Sequence, residues 1–211
     1  MEQQIKREVA TQTATAGEAS APRKREVAAA PSRAGLSTQD LILIAVLLAA
    51  GAVLKLTVGS LLSSMGMKPN FIIAMYCLAI LLVKPKLKDA LIIGLLAGAV
   101  CQFFPGTPYL NFPSEAAGAA VMALFVMAGR RAGGALMPAL STFVSTVVSG
   151  GVFMILLYAL FFSGGSRVPA PLALFLGIIF GTAAVNALIV QLLYLPVAAA
   201  MRIHADVKKE R

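Results

Sequence analysis

Glu115 closes a stretch in which chemistry is concentrated: Phe103-Phe104-Pro105-Gly106-Thr107-Pro108-Tyr109-Leu110-Asn111-Phe112-Pro113-Ser114-Glu115. It holds three prolines, four aromatics and no basic residue. Prolines fix the backbone and aromatics offer a platform, which suits the lining of a preformed pocket. A carboxylate at the start of a helix, capped by Ser114, sits where the helix dipole favours an anion. Such a group pairs with a ligand ammonium, while Lys68, in Gly66-Met67-Lys68-Pro69-Asn70, or Arg167 pairs with a ligand carboxylate. The plainer alternative is an interfacial belt of Tyr and Phe, a snorkelling Lys68 and a helix-start acid. Asn186 lies in the middle of an apolar run, where an unbonded amide is costly. It either meets a ligand or ties helices together.

Catalysis is not supported. The only histidine, His204, lies beyond the last apolar run, so Ser149 in Ser149-Gly150-Gly151 has no intramembrane base. There is no HExxH and no carboxylate cluster for a metal, and no GxxxxGK[ST] for ATP hydrolysis. Neither a metal nor a cofactor is expected. Cys77 and Cys101 fall inside apolar runs without metal or redox spacing and read as small core hydrophobes.

The elements that must position these residues follow from composition. Among 211 residues, 59% are hydrophobic and 13% charged, with a mean hydropathy of +0.85. Soluble proteins average about 45–50% and about 25%. So few charges cannot cover a water-soluble globule, and two cysteines cannot staple a secreted one. The chain reads as an all-α integral membrane protein. Its net charge of +9 sits in a tail, in short connections and at the C-terminus, which is membrane topology rather than nucleic-acid binding.

Residues 1–38 are polar, without apolar periodicity or the h-region of a signal peptide, and are expected to be a retained, disordered cytoplasmic tail. Arg23-Lys24-Arg25 offers an anionic-lipid contact there. A membrane domain is expected over 39–203, followed by a short C-terminal tail, 204–211. Six apolar segments, at 39–61, 70–84, 87–104, 115–131, 136–162 and 171–201, predict a bundle of six transmembrane helices. The second to fourth are short against the ~17–25 residues of a span. With the N-terminus inside, 15 Lys and Arg fall on the cytoplasmic side and only Lys68 and Arg167 outside, while Lys55 lies within the first span. That alternation predicts cytoplasmic N- and C-termini in the cell membrane. Small residues at four-residue spacing (Gly94 and Gly98, Gly177 and Gly181) predict close helix packing within the bundle.

Order and spacing over 39–203 resemble the substrate-binding S components of energy-coupling-factor (ECF) transporters, and most closely the tryptophan-specific TrpP family. The marks are Ala45-Val-Leu-Leu-Ala49, Gly66-Met67-Lys68-Pro69-Asn70, the proline-rich stretch, Thr146-Val-Val-Ser149-Gly150, Val185-Asn186 and Tyr194-Leu-Pro196. The resemblance implies an S subunit for tryptophan uptake. Such a subunit docks on a transmembrane T subunit and two ATPases and topples in the membrane as they hydrolyse ATP. It implies Ala45 and Ala49 as the T-subunit docking surface, and Lys68, Pro69, Asn70, Asn111, Glu115 and Asn186 as substrate-binding residues. Two other readings stand beside it: an S component for a vitamin such as thiamine or riboflavin, and a membrane scaffold of the MreD kind.

Overall fold

Helices joined by short connections make up the residues that the computed structural model describes, which are 35–63, 69–104, 107, 109–129, 134–162 and 171–209. The first 34 residues, Lys68, Arg130, Arg131 and Arg167 lie outside them, as do Pro105, Gly106 and Pro108. No strand occurs among the described residues, and Gly35–Arg211 forms one unit.

Helix α1 (Thr38–Ser63) opens on a reciprocal cap. Asp40 Oδ2 accepts from Ser37 Oγ at 2.7 Å and from the Ser37 N–H at 2.8 Å, while the Asp40 N–H donates back to Ser37 Oγ at 3.2 Å. This capping box satisfies amides that a helix start leaves without partners. Helix α2 (Ile72–Val83) is apolar on every side and ends at Lys84, whose backbone turns left-handed (φ 52°) just before Pro85. Helices α3 (Leu87–Cys101), α4 (Asn111–Gly129), α5 (Met137–Leu157) and α6 (Leu172–Lys209) follow. A π-helical turn, Tyr158–Phe162, extends α5.

Four helical stretches are long and apolar enough to cross a membrane: Thr38–Leu62, Asn111–Gly129, Met137–Phe161 and Leu172–Met201. With α2 and α3 at 12 and 15 residues, the described part holds six helices, two of them short of a full span. At 1.5 Å per residue, these reach about 18 and 22 Å against a hydrocarbon core of about 30 Å. Burial explains how α2 manages with that length. Ile72 to Leu81 are all buried, and α2 packs against each of the other five helices. An all-round apolar helix belongs inside a bundle rather than on its lipid face. Helix α6 differs from expectation in the other direction, running unbroken past residue 203 to Lys209.

The expected close approach of α3 is present. A Cβ on Gly94 would lie 2.7 Å from the Glu115 carbonyl oxygen and 2.8 Å from Ala116 Cα; one on Gly98 would lie 2.9 Å from Phe112 Cα. These are backbone atoms of α4 and cannot rotate away. Gly177 behaves otherwise: a Cβ there would meet nothing within 4 Å. Gly177 itself therefore makes no close helix contact among the described residues. Gly94→Val is expected to push α4 off α3 and destabilise the fold by about 1–3 kcal/mol. It should lower the thermal midpoint in detergent, and an unchanged midpoint would refute the tight contact.

Candidate functional site

The short contact between α3 and α4 brings Glu115 to the wall of a cavity. Helix α4 begins at Asn111, earlier than the sequence suggested, with Pro113 in its first turn, where a missing N–H costs nothing. Glu115 is therefore one turn into the helix, 1% exposed, and is not a helix-start acid. Ser114 does not cap, since its hydroxyl donates to the Asn111 carbonyl at 3.2 Å. Gly118, one turn further, leaves room behind the carboxylate. A Cβ there would strike the Tyr76 hydroxyl and lie 2.9 Å from Ser149 Cβ, so Tyr76 and Ser149 close in on Glu115 only because residue 118 has no side chain.

The cavity measures about 490 Å³, within the ~300–1,000 Å³ typical of small-molecule pockets. Its polar end is a relay of side chains from four elements. Lys55 Nζ, from α1, donates to Asn70 Oδ1 at 3.3 Å. Asn70, just ahead of α2, donates through Nδ2 to Glu115 Oε1. Ser149 Oγ, from α5, donates to Glu115 Oε2 at 3.2 Å. Cys101 Sγ adds a long contact to Oε1 at 4.0 Å, so donors hold both carboxylate oxygens, as a charge inside an apolar bundle requires. Lys55 Nζ also lies 4.8 Å from the centre of the Phe104 ring, a cation–π arrangement. The apolar lining comes from Phe153 and Leu157 of α5 and from Phe175, Ile178 and Ile179 of α6. A cavity with a charged floor and aromatic walls suits a compact ligand that is ionic at one end and flat and apolar at the other.

The structure brings Asn70, Asn111 and Glu115 together on this cavity wall. Pro69 is buried next to Asn70 but does not line the cavity. Asn186 is fully buried behind the wall, and its Nδ2 donates to the Asn70 carbonyl at 3.1 Å and to Thr146 Oγ1 at 3.4 Å. It fixes the backbone of Asn70 from α6. Lys68, one of the six expected binding residues, is outside the described residues. Ala45 and Ala49 are exposed on α1, away from the cavity, while Ile44, Leu47 and Leu48 pack inward.

Sequence reasoning missed three parts of the site. Lys55 stood out only as an ion within a span, though an ionisable residue there is a functional candidate by default. Ser149 stood out only as a serine without a base; it reaches Glu115 rather than its own backbone, whereas Thr146 bonds the Thr142 carbonyl at 2.8 Å. Cys101 is buried in the core as expected, and it also reaches the cavity wall, its sulfur 3.7 Å from both Lys55 Nζ and Asn70 Nδ2. No sequence signal separates it from Cys77, which is in the same core but does not line the cavity.

Long apolar helices around a cavity of this kind define a multi-pass membrane protein with room for a small molecule. Residues 37–202 match the family described as tryptophan transporter TrpP, and the chain belongs to that family. No curated protein and no solved structure matches the chain.

Proposed function

We propose that the chain is the substrate-binding (S) subunit of an ECF-type importer for tryptophan, energised by a separate T subunit and two ATPases. The carrying observation is the cavity, whose lining combines opposed charges at Lys55 and Glu115 with the aromatic rings of Phe104, Phe153 and Phe175. An amino acid with a flat apolar side chain has that distribution of groups, and family membership names the amino acid. Asn70, Asn111 and Glu115 contact the substrate, with Pro69 and Asn186 supporting Asn70, and Lys68 belongs to the same loop. The helices make six crossings with both termini cytoplasmic, in keeping with the alternation of Lys and Arg along the chain. The short helices α2 and α3 are completed by their protein neighbours. A scaffold of the MreD kind has no use for such a cavity.

The chain contains no tryptophan, which makes the test direct. Titrating detergent-purified protein with L-tryptophan, excited where tyrosine barely absorbs, is expected to give a saturable blue shift of the ligand's own emission. Absence of the shift, with no binding in equilibrium dialysis, rejects tryptophan and turns the search to thiamine and riboflavin.

A further inference from the structure

Between the ammonium of Lys55 and the carboxylate of Glu115 stands a single side-chain amide. Asn70 turns its oxygen to the cation and its nitrogen to the anion. The amide thus presents, in neutral form, the polarity of an α-amino acid: a negative end toward Lys55 and a positive end toward Glu115. We infer that Lys55 and Glu115 are the two poles of a zwitterion site, Lys55 for the α-carboxylate and Glu115 for the α-ammonium, and that Asn70 bridges them as an internal stand-in until substrate arrives. The assignment rests on the amino-acid reading above and specifies how the substrate is recognised.

Several observations support it. The poles are close enough for one amide to span, which fits two charges carried on a single carbon and excludes ligands whose charges are far apart. Lys55 is positioned rather than free, since Phe104 lies under its Nζ and Asn70 in front of it. Asn70 is itself fixed through its backbone by Asn186, so its side chain can leave the poles without the loop moving. The amide meets each pole with charge on one side of the bond only, whereas a zwitterion forms a pair charged on both sides, so a zwitterion displaces the amide while a neutral ligand does not. A ligand with one charge gains at one pole only and still has to break the bridge.

The test is a fluorescence titration of the full chain with L-tryptophan and with tryptamine, which lacks the carboxylate. Wild type is expected to bind tryptophan about tenfold or more tighter than tryptamine. In Lys55→Met, tryptophan should weaken by about tenfold or more while tryptamine stays within about threefold, so the preference collapses; Lys55→Arg should restore it. Retained tryptamine binding certifies the fold. If Lys55→Met binds neither ligand, Lys55→Gln, which keeps a donor toward Asn70, is held to the same criterion, and loss of both ligands there overturns the assignment. A wild-type preference that survives in Lys55→Met also overturns it. Wild type that binds no tryptophan at all refutes the amino-acid reading instead, so the two failures are distinct.

Discussion

Glu115→Gln is expected to weaken tryptophan binding by about 30-fold at least, and by more than 1,000-fold at the upper end. That range follows from the 2–5 kcal/mol lost when one member of a desolvated charge pair is removed, at about 1.4 kcal/mol per tenfold. The substitution keeps size and shape, so the packing against Gly94, Gly118 and Tyr76 is retained and the effect is electrostatic. The geometry adds to it: the carboxylate accepts from Asn70 Nδ2 and Ser149 Oγ, and a glutamine there must turn an NH₂ toward one of those donors. Indole-3-propionate, which has no ammonium, should lose little affinity in the same variant. Equilibrium binding on purified protein checks both expectations, and an unchanged tryptophan affinity would reduce Glu115 to a structural anchor for Asn70 and Ser149.

Replacing Ala45 or Ala49 by Leu is expected to abolish tryptophan uptake in cells and copurification with the T subunit, while binding by the isolated protein stays within about twofold. Both alanines are exposed on α1, so a larger side chain displaces nothing within the chain. Where two helices meet in a bilayer, small residues set how near the backbones come, and a few added carbon atoms remove that contact. The separation of readouts gives the experiment its force: an effect on binding would mean a folding defect, and normal uptake by both variants would remove the docking assignment.

Much of the fold was legible because the signals are local. Apolar runs mark α1 and α2, and Gly94 and Gly98 mark a close approach that α4 does fill. Asn70, Asn111 and Glu115 were legible as polar residues at the edges of apolar runs, where a solvent-facing side chain needs no special reason and a clustered one does. What stayed hidden was partnership. Lys55 reaches Asn70 across 15 positions and Ser149 reaches Glu115 across 34, and no periodicity within one helix reports which helix lies opposite. The same limit explains Gly177, whose spacing matches that of Gly94 but against which no described residue packs within 4 Å of a Cβ. The early start of α4 was hidden by its prolines: Pro113 reads as a loop residue until it is seen in the first turn, the one part of a helix that tolerates it.

The short, enclosed helix α2 also bears on how the protein comes apart. Its backbone amides from Ile72 to Leu81 are covered by all five other helices, so no fraying end and no single departing neighbour lets water reach them. Exchange of those amide hydrogens with solvent then requires the whole bundle to open, whereas the outer helices can exchange through smaller excursions. At only 12 residues, α2 also has too little length to hold a place in the bilayer alone, so its insertion is an event of assembly with its neighbours rather than a step that precedes it. The rate at which Tyr76 to Ile80 take up deuterium is thus a direct gauge of the stability of the entire membrane domain.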